Sequence, residues 1–399
     1  MAATLDTESL AMPPLWMISL LPALGLFASA VHLPSIPAMA SAFSVTPDLM
    51  QYTVTVYLGA MAAFSLVVGP LSDRLGRRPV ALLMLAVFLI GSVAALFSAT
   101  VPMLLAARLL QGIGASGGLV LSRSMVKDAL NGQMAAKAAA QVSMAVAVAP
   151  MLAPLFGGYI QELFGWRANF VVVALFAVAL LALATRRLVE TLPGHKRFVS
   201  SHWSMLVNYV GLLGMRKFHV HTLPVMCGAV GLFTYQTGAP VLLIGHMDVS
   251  PADYGVFAAM PALGFMMGTF TTTRIALHTK AETLIEAGCV LFIASGMLIV
   301  GLSLWTSPGP WSVAIPMVLF GAGNGLLMPT ATIGGLSAAP LLVGSAAALI
   351  SCLRMGAGSA GSYIITKLPP DSVTALGSLV FAAGIMALLS WVYLGRGKR

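Results

Sequence analysis

Apolar residues run along this chain in long unbroken stretches without two-residue alternation, and polar residues are confined to short links between them. A helix needs about 20 mostly apolar residues to cross a bilayer, whereas a membrane strand needs about 10 with every second position polar. The pattern therefore predicts twelve membrane-crossing helices, near 15–36, 50–69, 80–98, 102–124, 138–160, 167–185, 218–244, 251–273, 282–305, 311–336, 341–367 and 372–394. The predicted class is an all-α polytopic membrane protein, with no room for a soluble catalytic domain. Composition agrees: of 399 residues, 59% are hydrophobic and only 8% charged, against about 25% charged in soluble domains.

Several chemistries drop out. Cys227, Cys289 and Cys352 all fall inside apolar runs, which reads as small buried hydrophobes and not a disulfide framework. There is no zinc-ligand spacing, nucleophile turn or phosphate loop, so neither a metal, a cofactor nor an enzymatic activity is expected. "ASA" at Ala28–Ala30 resembles a leader-cleavage site, but residues 1–14 carry Asp6 and Glu8 and no lysine or arginine. That favours a first span over a cleaved leader.

The formal charge of +9 is distributed by side. With the N-terminus inside, the cytoplasmic links receive Arg74, Arg77, Arg78, Lys127, Lys137, Arg186, Arg187, Lys196, Arg197, Arg216, Lys217, Arg274, Lys280, Arg396, Lys398 and Arg399; the other side receives Arg167 and Lys367. This positive-inside asymmetry places both termini in the cytoplasm and accounts for the charge without a nucleic-acid partner. The longest polar link divides the chain into a tail (1–14), a six-helix bundle (15–185), a cytoplasmic linker (186–217), a second six-helix bundle (218–394) and a basic tail (395–399). A shift of 200 residues lays Gly69 over Thr269, Asp73 over Thr273, Arg74 over Arg274, Arg78 over His278 and Gly158 over Gly358. Two repeated halves suit a transporter whose substrate sits between them at mid-membrane.

The densest charge lies in "GPLSDRLGRRPV", Gly69–Val80, a predicted tight cytoplasmic turn between the second and third helices. Gly69 and Gly76 would permit the turn. Asp73 could pair with Arg74, Arg77 or Arg78. Spacing alone leaves two roles open, a latch between the halves or a solvated anchor.

This stretch resembles the signature loop of the major facilitator superfamily. "RLLQGIGASGG" (Arg108–Gly118) resembles its second motif, and "APMLAPLFGGYI" (Ala149–Ile160) resembles the glycine-proline motif of its drug antiporters. "FGWRANF", "LSRSMVKDAL" and "GAGNGLLMPTAT" point to the Bcr/CflA-type multidrug:proton antiporters. The resemblance spans essentially the whole chain. It implies a twelve-helix fold of two pseudo-symmetric bundles, alternating access and proton-driven efflux of amphiphilic drugs.

Arg108 lies roughly 9 Å into helix four, where an arginine is costly and faces a cavity or a partner. The resemblance links it to proton coupling; the alternative is snorkelling to the interface. Arg123, about 22 Å further on nearly the same face, reads equally as inner vestibule or anchor. Pro150, Pro154, Gly157 and Gly158 are expected to interrupt helix five as a hinge or seal, or to serve plain helix packing. In the family, helices one, four, seven and ten line the cavity; the residues there that could do so are His32, Phe233, Tyr235, Gln236, Asn324 and Met328, with Tyr57 from helix two.

Two departures stand out. Where the family carries an acid before tyrosine-leucine-proline, this chain reads "SAVHLPSIP": Ala30 replaces the acid and His32 the tyrosine. All twelve acidic residues fall near helix ends or in links. Proton coupling would then use His32, expected to reach water from the outer side, since histidine titrates near neutrality, or Asp73 or Asp128 with Arg108 responding. Second, Arg354 sits deep in an apolar run, giving the pore a positive bias that favours neutral or anionic amphiphiles. The sequence thus predicts a monomeric exporter of small amphiphiles in a bacterial inner membrane, energised by the proton gradient. A specific exporter of an anionic metabolite or metallophore, possibly uncoupled from protons, and a transporter-like ligand sensor remain as alternatives.

Overall fold

The computed structural model describes residues 13–130, 132–192, 202–275, 278–305 and 308–395. Most of the N-terminal tail, the part of the linker with Lys196 and Arg197, and the basic tail with Arg396, Lys398 and Arg399 lie outside the described residues.

Among the described residues, twelve helices are long and apolar enough to cross a membrane. They are α1 (Leu15–Ala42), α2 (Pro47–Leu75), α3 (Arg77–Leu96), α4 (Val101–Ala129), α5 (Gly132–Phe164), α6 (Trp166–Arg187), α7 (Arg216–His246), α8 (Pro251–Ile275), α9 (Ala281–Trp305), α10 (Pro310–Ser337), α11 (Val343–Ile365) and α12 (Val373–Gly395). Large apolar side chains such as Ile90, Phe156 and Leu304 point outward, as a lipid-facing surface requires.

Helix ends depart from expectation in instructive ways. α1 runs on to Ala42 after a single 3-10 turn at Leu33–Ser35, because Pro34 and Pro37 fall at the start of new helical segments, where their missing N–H costs nothing. α2 does not end at Gly69 but continues to Leu75, so Gly69 is helical and the expected turn there is absent. The turn is made by Gly76 alone, at φ 102°, a backbone conformation natural to glycine. α5 is continuous through Pro150 and Pro154, contrary to the expected interruption. The linker contains a helix of its own, His202–Leu213, which the sequence reading missed; its Leu212 packs with Phe218 and with Ala346, Leu349 and Ile350 of α11.

The packing repeats itself. In the first half, α1 meets α4 and α5, α2 meets α4, and α3 meets α4 and α6. In the second half, each of those pairs recurs six helices later: α7 with α10 and α11, α8 with α10, α9 with α10 and α12. Glycines allow the closest approaches. Gly264 and Gly268 of α8 face backbone of Val318 and Ala322 in α10, while Gly321 and Gly325 of α10 face backbone of Pro261 and Phe265 in α8, a reciprocal small-residue interface. The halves meet chiefly through α2 with α11 and α5 with α8, two contacts that interconvert under the same six-helix shift.

Candidate functional site

The two ends of the interface between the halves differ. At the end remote from Gly76, the halves are joined by polar and backbone contacts. Thr55 of α2 shares a hydrogen bond of 2.8 Å with Ser362 of α11, and Ser359 donates to the Thr55 carbonyl at 2.9 Å. Thr237 of α7 donates to Ser362 at 2.9 Å. On the other side of the interface, Gly158 of α5 lies against the Pro251 carbonyl, and Gly255 of α8 lies against the Leu155 backbone. Just beyond, the rings of Tyr52 and Tyr363 stand 6.0 Å apart, with the Lys367 ammonium 5.5 and 5.3 Å from their centroids. Lys367 is exposed, and its hydrogen bond with Tyr52 holds its pKa above the ordinary lysine value.

Toward the Gly76 end the interface loosens. Arg123 of α4 reaches across to Ser351 of α11 at 3.0 Å yet remains exposed. A side chain that both spans the halves and touches solvent lines an open cleft. Arg354, half-buried and one turn from Ser351, donates toward the Met328 sulfur at 3.6 Å, and sulfur is a weak acceptor. Met328 and Gln236 are half-buried.

Other residues expected in the cavity are placed elsewhere. Tyr57 is fully buried, and its hydroxyl donates to the Gly25 carbonyl within the first half at 2.6 Å. Tyr235 is fully buried and donates to the Phe257 carbonyl within the second half at 2.8 Å. Phe233 packs on Gly358 of its own half, and Asn324 is buried beside Gly228 and Phe292. An apolar helix face turned toward a neighbour within the bundle and one turned toward the cleft look alike in sequence.

Arg108 is also fully buried, which rules out snorkelling. Its guanidinium lies 4.2 Å from the Tyr57 ring centroid and donates to the carbonyls of Thr53 (3.2 Å) and Ala28 (3.3 Å) and to Gln111 Oε1 (2.8 Å). Gln111 in turn donates to Ser92 at 2.9 Å. His32 joins through Thr53: its Nε2 lies 3.2 Å from Thr53 Oγ1, whose proton goes to the Met50 carbonyl at 2.6 Å. His32 is wholly buried, and among the described residues its Nδ1 makes no hydrogen bond of standard geometry. The expected contact with outer water is therefore not made; the closed end of the interface and the Phe170 ring, 6.1 Å away, cover it.

The charged motif is organised around Arg77. Its guanidinium bridges Asp73 (2.5 Å) and Asp128 (2.7 Å) and donates to Ser72 at 2.6 Å. The backbone N–H of Arg77 donates to Glu190 at 2.8 Å, and Arg78 donates to Glu190 and to the Thr185 carbonyl. Arg74 occupies the last turn of α2. The Arg77 contacts tie the ends of α2, α3 and α4 to the segment after α6, which braces the first half. Gly157, like Gly158, is a point of close approach, but toward its own half: it lies against the Val31 carbonyl. Among the described residues no group of histidine, cysteine and acidic side chains could hold a metal.

Two bundles of six membrane-crossing helices related by a repeated packing pattern, with a polar cleft between them, define a multi-pass membrane transporter. The family model for the Major Facilitator Superfamily matches residues 18–362, and the chain belongs to that superfamily. It is 28% identical to multidrug resistance protein D of Escherichia coli over 381 residues, 95% of each chain. It is 30% identical to the chloramphenicol resistance protein of Pseudomonas aeruginosa over 344 residues, 86% of this chain and 81% of that one. The fold matches a POT family transporter in complex with a thioalcohol-conjugated peptide, with a TM-score of 0.79 over 96% of each chain at 14% identity.

Proposed function

We propose that the protein exports small amphiphilic compounds, neutral or anionic, across a bacterial inner membrane by alternating access, with protons moving inward in exchange. The observation that carries this reading is the asymmetry of the cleft: hydroxyls and glycine backbones join the halves at one end, while Arg123 and Arg354 meet solvent toward the other. The positive-inside rule makes the basic, open end cytoplasmic, so a substrate would enter from the cytoplasm. Drug-resistance proteins among the relatives support efflux. In this reading the Arg77 cluster keeps the first half rigid as it rocks, and Gly158 with Gly255 forms the periplasmic seal. His32 is the leading proton carrier, because histidine titrates near neutrality and the parting of the outer seal would open it to water; Asp73 and Asp128 are the alternatives. A specific exporter of an anionic metabolite without proton coupling is the second reading, favoured by Ala30 where the acid is expected.

Uptake of radiolabelled chloramphenicol into everted vesicles, driven by an acid interior, tests the proposal. Uptake should exceed that of vesicles lacking the protein and collapse with an uncoupler. His32→Gln should cut the gradient-driven component by about tenfold, because glutamine keeps a polar contact but cannot titrate near neutrality. Uptake indifferent to the uncoupler would favour the uncoupled reading, and no uptake would contradict export of this compound.

A further inference from the structure

We propose that Arg123 and Arg354, one from each half, form an oxyanion cradle that holds the carboxylate head of an amphiphilic substrate and draws the cytoplasmic end shut around it. This deepens the export reading and rests on it.

Arg354 lies eleven residues from either end of α11, which places it about 16 Å from each end, near mid-membrane. Arg123 lies six residues before the end of α4, about 9 Å from the cytoplasmic end, and its side chain reaches up to Ser351. Ser351 and Arg354 are three residues apart on α11, so they project from neighbouring turns of one face. The two guanidiniums therefore converge on one region from opposite halves. Among the described residues neither guanidinium has a carboxylate within ion-pair distance. What they do contact is a hydroxyl and a thioether. A hydroxyl is a neutral acceptor and a thioether a weak one, so neither supplies the negative partner that a guanidinium in the cleft, Arg354 near mid-membrane above all, would favour.

A ligand carboxylate supplies what the pair lacks. It matches the planar fork of a guanidinium with two parallel hydrogen bonds, and it would replace the Ser351 hydroxyl as the acceptor for Arg123. Met328, beside Arg354, offers an adaptable apolar contact for the body of the ligand. The same arrangement rejects cations, because an ammonium would add a third positive charge.

The cradle also couples binding to motion. Closing the cytoplasmic end brings two like charges on opposite halves together, which opposes closure. An anion between them turns that repulsion into two attractions, so it binds the closed arrangement more tightly and shifts the population toward it. Substrate entry would thereby trigger occlusion without any change in the Arg77 cluster.

The test uses the full chain in lipid nanodiscs and a panel of naphthyl and phenylalkyl scaffolds, each carrying a carboxylate, a primary carboxamide or an aminomethyl head. Binding is measured by calorimetry. Carboxylates should bind the wild type at least about tenfold tighter than their amides and amines, the effect of one good charge-assisted contact. Arg123→Gln and Arg354→Gln should each erase that preference by weakening carboxylate binding more than amide or amine binding, and Arg354→Lys should retain part of it. Amides or amines binding the wild type as tightly as carboxylates, or no carboxylate binding, would overturn the cradle, and neither outcome depends on a variant folding. An equal loss for all three heads in the glutamine variants would also overturn it. Carboxylate selectivity without vesicle uptake would leave the cradle standing and contradict export; uptake of chloramphenicol without any carboxylate preference would do the reverse.

Discussion

Gly158→Leu is expected to leave the protein folded and inserted while reducing export to near background. The Gly158 backbone lies against the Pro251 carbonyl of the other half, and a side chain there would overlap that backbone oxygen. Neither helix can yield locally, so α5 and α8 must separate. Overpacking of this kind costs about 1–3 kcal/mol, which lowers the population of the sealed state by about 5- to 150-fold. Because the cost falls between the halves and not inside one, the melting temperature should change little. Gly157→Leu is the contrasting variant. Gly157 lies against Val31 of its own half, so its replacement should lower the melting temperature. Export assays and thermal unfolding in detergent separate the two. A Gly158→Leu protein that exports normally would show that the seal is not needed for turnover.

Arg108→Ala should have the largest effect on stability of any single substitution at the cleft or its supports. Arg108 is fully buried and gathers the carbonyls of Thr53 and Ala28, the Gln111 side chain and the Tyr57 ring. Truncation leaves buried acceptors without donors and opens a cavity among α1, α2 and α4. Losses of about 3–5 kcal/mol follow from comparable deletions of buried, hydrogen-bonded charges. Tyr57→Phe keeps the ring under the guanidinium and loses only the hydrogen bond to Gly25, so it should cost about 1 kcal/mol. Unfolding midpoints of the purified variants measure both. An Arg108→Ala protein as stable as Tyr57→Phe would contradict a supporting role for the network.

The helices were the most legible feature. A continuous apolar run has few alternatives in a bilayer, so all twelve were readable, with errors confined to their ends. The ends differ where polar residues are helical: α2 continues through Ser72, whose hydroxyl donates to the Gly69 carbonyl, and Asp73, which pairs with Arg77, features an apolar pattern cannot register. The motif around Asp73 was legible as a cluster, but its direction was not. Whether Arg77 pairs within its half or across depends on Asp128 and Glu190, which are 51 and 113 residues away. Gly158 stood out in the expected hinge or seal of helix five, but the hydroxyl contacts between the halves were invisible for the same reason. Thr55 and Ser362 are 307 positions apart, and each reads in isolation as a tolerated small hydroxyl. Arg354 drew attention because charge inside an apolar run is costly, whereas Ser351, its neighbour in the cleft, carried no such signal. The inward direction of Tyr57 and Tyr235 was not legible, because periodicity does not distinguish a face turned to the partner half from one turned inward.

Distances between spin labels at the two ends of the cleft test alternating access most directly. In a background with Cys227, Cys289 and Cys352 replaced, Leu163→Cys with Trp305→Cys reports on the sealed end, and Arg186→Cys with Lys280→Cys reports on the basic end; all four positions are exposed. Lowering the pH or adding a substrate that is taken up by everted vesicles should shorten one distance while lengthening the other, with each label pair showing two populations whose proportions change together. Two distances that stay fixed, or that lengthen and shorten in step, would contradict a cleft that opens to one side of the membrane at a time.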